Sequence, residues 1–277
     1  VSTRAPGFRF HRPSPPLGDF VEMLWIWRGA TQPHAFERLL PTGTVELVIN
    51  LRDDESRVYD REDQRRFQIL PGAILVGPQS EYFVIDTAEQ REVMGVHFRP
   101  GGVFPFAGPA GEVTDAHVPL DALWGNEGRR LRERLLEADS DASRFRILEA
   151  ALIGQACCSL ERHPAVALAL GEFARVPHAR RVAEVRAEAG LSHRRFVQLF
   201  RDAVGLTPKL YCRIRRFQEV LQRVAAGRAI EWTGLALDCG YYDQAHFARD
   251  FRAFSGLNPS TYLVERSEHL NHVPLRA

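Results

Sequence analysis

The sequence of 277 residues carries 36 Lys and Arg against 35 Asp and Glu, with 45% hydrophobic residues, which reads as a globular chain able to bury one large core or two ordinary ones. Its apolar runs, such as residues 45–51 or 165–170, are far shorter than the ~20 residues that span a bilayer, so a membrane protein is excluded as an expectation, and residues 1–6 do not read as a signal peptide. The near-zero net charge hides a split: residues 171–277 hold 17 Lys and Arg against 11 Asp and Glu (+6), and the remainder holds 19 against 24 (−5), so only the C-terminal part is expected to meet a polyanion.

From about residue 20 to 105 the pattern is β. Runs at 23–27, 44–51, 67–70, 73–76, 82–85 and 93–98 are short and rich in β-branched and aromatic residues. Turn signals separate them, among them Pro41-Thr-Gly43, Pro71-Gly72 and Pro100-Gly-Gly102. Short strands without intervening helices predict an antiparallel barrel or sandwich. After Gly111 the period changes. Leu120, Leu123, Trp124, Leu131 and Leu135 recur at helical spacing, and further amphipathic stretches run over 143–160 and 164–173. Pro177 and His178 mark a junction, followed by a dense helical region to about Arg266.

That region contains an internal repeat. Phe200-Arg201, Gly205-Leu206, Pro208 and Tyr211 recur 51 residues later as Phe251-Arg252, Gly256-Leu257, Pro259 and Tyr262, while Gly190 recurs as Gly240, offset by 50. In the first copy a helix over 181–189 ends at Gly190, where a positive φ is free of steric cost. Ser192 then caps a second helix from His193 to about Val204. Helix, glycine turn and capped helix make a helix-turn-helix. In the second copy Leu235, Ala236 and Cys239 lie on the first helix, Gly240 makes the turn and Asp243 caps a helix that buries Phe247, Phe251 and Phe254. Leu210, Ile214, Phe217, Leu221 and Val224 predict one amphipathic helix joining the units. Arg194, Gln198 and Arg201 line the outward face of one second helix, and Gln244, Arg249 and Arg252 that of the other. Arg reads guanine and Gln reads adenine in the major groove, while further Arg residues hold phosphates; the bland alternative is a helical bundle whose repeat only packs.

These residues resemble the AraC/XylS family of bacterial transcription regulators over roughly 182–262, including Ala189-Gly-Leu-Ser192, Gly205-Leu-Thr-Pro208 and the stretch from Gly240 to Tyr262. The resemblance implies an AraC-type DNA-binding domain at 177–277, with units at 181–204 and 231–254 joined by a helix over 208–226. It places base contacts on Arg194, Val197, Gln198, Gln244, Ala245, Ala248 and Arg249, and phosphate contacts on Ser192, Arg195, Arg201, Lys209, Asp243 and Arg252. Double-stranded DNA is the implied partner, with RNA polymerase and a second copy of the chain as further ones, and no cofactor. Trp232-Thr-Gly234 departs from the usual start of its helix, and Gly234 should weaken that helix by about 1 kcal/mol. Phe98-Arg-Pro-Gly-Gly102, Thr114-Asp115 and residues 118–124 resemble the sensor part of one subgroup. They imply a cupin-like barrel over 15–110 with helices over 119–175, a sensor and oligomerisation domain at 1–175. The fold class expected is therefore α+β, an N-terminal antiparallel β-barrel with helices followed by an all-α domain.

A cupin-like barrel can be an enzyme, but the ten histidines are scattered and three convergent metal ligands do not assemble. A His97–Glu46 metal site and a hydrogen-bonded His97 both remain open, as does a metal-dependent enzyme tethered to DNA, or a regulator answering to a protein partner. His163, His178, His269 and His272 read as surface residues. The four cysteines (Cys157, Cys158, Cys212, Cys239) form no CxxC pair and fit a reducing cytoplasm. The pair Cys157-Cys158 is either a small buried face or a redox sensor. Trp25 and Trp27 share a strand face that is either core or the wall of a small-molecule pocket, with Glu46, His97 and Arg99 as the polar groups that would orient an effector.

Overall fold

The computed structural model describes residues 7–30, 32–156, 160–175, 180–226 and 231–276. Cys157, Cys158, Pro177 and His178 lie outside the described residues.

Alternation of apolar and polar residues builds two antiparallel sheets. The strands are β1 (Gly7–His11), β2 (Val21–Arg28), β3 (Phe36–Leu39), β4 (Glu46–Asn50), β5 (Glu55–Tyr59), β6 (Phe67–Pro71), β7 (Ala73–Val76), β8 (Phe83–Asp86), β9 (Glu92–Phe98), β10 (His117–Pro119) and β11 (His272–Leu275). One sheet runs β1-β2-β9-β4-β7-β10 and the other β11-β3-β8-β5-β6. The α+β class and the antiparallel β unit expected from the sequence are present, but hydrogen bonding among the described residues does not close the sheets into one barrel. The chain instead steps from sheet to sheet at Gly72, whose N–H donates to Asp54 O (2.7 Å) and whose carbonyl accepts from Asn50 N (2.6 Å). β11 comes from the C-terminal end of the chain and pairs with β3, His272 opposite Leu39 and Leu275 opposite Phe36.

The six-stranded sheet has two different faces, as period-two alternation requires. Leu24, Ile26, Leu47, Ile49, Met94, Val96 and Phe98 are buried against helices. Those helices are α1 (Phe104–Ala107), α2 (Leu120–Trp124), α3 (Asn126–Glu137) and α4 (Asp141–Gln155), which bring Phe106, Leu131, Leu135, Leu148 and Leu152 to the same core. Arg28 and Arg144, both buried, converge on Asp141 and Glu92, with Arg28 Nη2 2.7 Å from Asp141 Oδ1. Two Arg–carboxylate pairs sharing partners neutralise one another, which is what permits their burial.

The remaining helices are α5 (Pro164–Arg175), α6 (Val182–Glu188), α7 (His193–Val204), α8 (Pro208–Ala225), α9 (Trp232–Asp238), α10 (Gln244–Ser255) and α11 (Pro259–Glu265). They form a second core in which Phe196, Phe200, Tyr211, Phe217, Phe251 and Phe254 pack together, and α5 adds Val166, Ala169, Leu170 and Phe173 to it. The two cores are fastened to each other by specific contacts. Thr114 Oγ1 donates to Gly205 O (2.5 Å), and the buried Gln218 amide of α8 donates to Pro41 O and Asn271 Oδ1, both 2.8 Å. No helix among the described residues is long and apolar enough to cross a membrane.

Candidate DNA-binding face and interior cavity

The repeat in the sequence is a repeat in backbone geometry. α6 ends at Gly190 (φ +67°) and α9 at Gly240 (φ +77°), both in the left-handed region that favours glycine. After each turn a polar side chain starts the next helix: Ser192 Oγ accepts from Arg195 N (3.3 Å), and Asp243 Oδ1 from His246 N (2.6 Å). α7 and α10 in turn end at Gly205 (φ +84°) and Gly256 (φ +71°). Thr207 and Asn258 then cap helices that both begin with proline, α8 and α11. α11 is thus a shortened copy of α8, with Tyr262 buried as Tyr211 is.

Each second helix divides cleanly by face. α7 buries Phe196, Phe200 and Val204, while Arg194, Arg195, Gln198 and Arg201 are exposed and Val197 is half-buried. α10 buries Phe247, Phe251 and Phe254, while Gln244, Ala245, Arg249 and Arg252 are exposed and Ala248 is half-buried. Gln198 Nε2 donates to Asp202 Oδ1 (2.7 Å) on its own surface, and Lys209 is exposed at the start of α8. The side chains of Ser192 and Asp243 are engaged as caps. A carboxylate repels a phosphate, so any phosphate beside Asp243 would be met by the backbone there.

The arginines of α8 do a different job from those of α7 and α10. Arg213 Nη2 lies 2.7 Å from Oδ1 of the buried Asp250, and Arg216 Nη1 donates to Gly240 O (2.9 Å) with its guanidinium over the Tyr241 ring. These bonds lock the second unit onto the connecting helix. Gly234 also has a local purpose: Glu231 caps α9 by accepting from the N–H groups of Thr233 and Gly234. A Cβ at Gly234 would stand 2.7 Å from Glu231 Oε2.

The other face of the six-stranded sheet looks into a cavity between the two sheets, with lobes of about 240 Å³ and about 420 Å³ that share Met23, Leu39, Glu46 and Val48. Trp25 and Trp27 line it, as the alternation along β2 predicts. Gly95 makes room for Trp25, since a Cβ there would stand 2.5 Å from its ring. Glu46 and His97 are opposite one another on β4 and β9, and Oε1 lies 2.7 Å from Nδ1. Burial works against a charged His97 ring, but the hydrogen bond and charge of Glu46 outweigh it and its pKa is raised. Arg99 is not with them. β9 ends at Phe98, the following turn carries Arg99 to an exposed position, and its Nε donates to Gly18 O (2.9 Å).

In place of Arg99 the structure brings residues that sequence reasoning missed. Glu37 is buried on β3, 2.7 Å from His34 Nε2 and 2.8 Å from His272 Nδ1. Burial alone would raise its pKa, but bonding and charge from His272 and then His34 hold it below its usual value. His117 has been pushed down to about 4 by desolvation, and its buried Nε2 has no hydrogen-bond partner. His269 and His272 belong to the C-terminal segment, and both line the cavity. His272 is half-buried, and His269 meets the Trp27 ring edge-on at 5.6 Å. His269 is exposed, as expected of a surface residue, while for His272 that expectation is corrected, because pairing of β11 with β3 draws it to the cavity wall. His163 is exposed, as expected.

Residues 185–264 match the family described as a helix-turn-helix domain. The C-terminal unit is an AraC-type helix-turn-helix domain. Residues 9–119 match a family described as a domain of unknown function, DUF6597. Over 81 residues the chain is 31% identical to a probable transcriptional regulator, LumQ, from Photobacterium leiognathi. The match covers 29% of this chain and 32% of that relative's length. Among solved structures, an apo variant of ToxT from Vibrio cholerae has 11% identity, covers 87% of this chain and 97% of its own, and gives a TM-score of 0.47. Another ToxT structure from the same organism has 9% identity, covers 93% and 98%, and gives 0.46. The helix-turn-helix domain accounts for the glycines, caps and prolines of the repeat, and it leaves one polar face of α7 and one of α10 exposed.

Proposed function

We propose that the whole chain is a sequence-specific transcription regulator in which α7 and α10 enter successive major grooves and the β unit senses a small molecule. The observation that carries this reading is the sorting of each second helix into a phenylalanine face in the core and a solvent face of arginine and glutamine. Arg194, Gln198, Gln244 and Arg249 would read base edges, with Val197, Ala245 and Ala248 offering apolar contact to thymine methyls. Arg195, Arg201, Lys209 and Arg252 would hold phosphates, with the Ser192 hydroxyl and the backbone at Asp243 beside them. The sensing unit spans roughly 1–175 and the DNA-binding unit 177–277, with α5 packed into the core of the latter. RNA polymerase and a second copy of the chain are the protein partners of this reading, the cytoplasm is its compartment, and it assigns no catalytic residue.

Replacing Arg194 and Gln198 by alanine tests the assignment. Each lost bidentate contact should cost about 1–3 kcal/mol on the cognate site and relax one base position, while binding to random DNA changes little. Equal losses on cognate and random DNA would remove both residues from base readout.

A further inference from the structure

Carboxylates outnumber guanidiniums along the cavity wall. Glu37, Glu46 and Glu268 line it, whereas the arginine side chain among the described lining residues is Arg57, whose guanidinium is engaged by Glu89 at 3.3 Å. Both Glu37 oxygens are taken, one by His34 and one by His272. Glu46 is different: Oε1 meets His97, Oε2 has no hydrogen-bond partner among the described residues, and its side chain is 34% exposed. Beside it the wall is aromatic. Phe8 and Trp25 stack at 6.4 Å, and Trp27 continues the wall toward His269.

An anion placed here would face carboxylates with no free guanidinium to receive it, at a cost that grows as water is excluded. A protonated amine, by contrast, finds an open carboxylate oxygen for a charge-assisted hydrogen bond and indole faces for cation–π attraction. We infer that the cavity between the sheets binds a small organic cation, an amine on an apolar or aromatic body, with Glu46 as its anchor and the segment around His269 and His272 as one wall. The inference rests on the small-molecule reading above and adds the ligand's chemical class. Because the wall formed by His269 and His272 follows α11 directly, a ligand that fills the cavity touches the chain end of the DNA-binding unit without an intermediary.

Three probes matched in length separate the classes: 4-phenylbutylamine, 4-phenylbutanol and 4-phenylbutyrate, titrated into the full chain by calorimetry and by tryptophan fluorescence. The amine is expected to bind about ten-fold or more tighter than the alcohol, which is the scale of one charge-assisted bond, and the carboxylate weakest. In Glu46→Gln the amine should fall to the level of the alcohol. Tighter binding of the carboxylate would overturn the ligand class while leaving a small-molecule sensor standing. Binding of none of the three would overturn the sensor reading and this inference with it. An amine preference undiminished in Glu46→Gln would remove Glu46 as the anchor. The ranking on the unmodified chain decides the class even if that variant fails to fold.

Discussion

Phe173→Ala should loosen the DNA-binding unit, although Phe173 lies before the segment at which the sequence places the domain junction. The side chain is 1% exposed and packs on Phe200 at 6.0 Å and Tyr211 at 6.5 Å, residues that begin the core of α7 and α8. Truncation removes the burial of a full aromatic ring and leaves a void between rings that are themselves fully packed, so little collapse can fill it. Such changes cost about 3–5 kcal/mol, a large fraction of a typical domain's stability. Hydrogen exchange of the full chain locates the loss. Amides of α7 and α8 should lose protection, while those of β2 and β9 keep theirs. Loss of protection confined to the β unit would refute the placement of α5 in the helical core.

Gly95→Ala should displace the Trp25 ring from its seat across β9, destabilise the chain by about 1–3 kcal/mol and shift the tryptophan emission, since the added Cβ would come within 2.5 Å of both the ring and Leu47 O. An unchanged emission spectrum would show that Trp25 is not packed there. His117 should stay neutral in the folded chain until the pH falls to about 4. Its folded pKa is depressed below the usual 6.5, so its contribution is present above pH 6.5 and is lost as the pH falls toward 4. A proton titration of its ring by NMR checks this, and a midpoint near 6.5 would mean the ring is hydrated. Gln218→Ala should cost about 1–3 kcal/mol, because Pro41 O and Asn271 Oδ1 both lose their amide donor. Stability equal to that of the parent chain would show that this link between the two cores is replaced by water.

The helix-turn-helix units were legible in the sequence because their signals are local. Gly190, Ser192, Gly240 and Asp243 each specify a backbone conformation within a few residues, and α7 spans the predicted range from His193 to Val204. α11 was equally available, since the repeat lays Pro259 to Tyr262 on Pro208 to Tyr211, although the sequence reading closed the second unit at 254. The cavity was half legible. Alternation along β2 and β9 put Trp25, Trp27 and His97 on one face, and β4 put Glu46 opposite them. Alternation extended one residue too far then added Arg99, because Pro100-Gly101-Gly102 ends the strand before it. The five-stranded sheet was largely hidden. β3, β5 and β11 are four or five residues long, and the bond between His272 and Glu37 joins residues 235 apart in sequence, a pairing that no local pattern encodes.

If two helix faces read DNA together, selection of bound duplexes from random sequence by the full chain will show it. Two half-sites should emerge, centred about 10–10.5 base pairs apart, one helical turn. A paired Arg194→Ala and Gln198→Ala variant should relax one half-site alone, and a paired Gln244→Ala and Arg249→Ala variant the other. Enrichment of a single half-site, or loss of both from either pair of substitutions, would contradict the account.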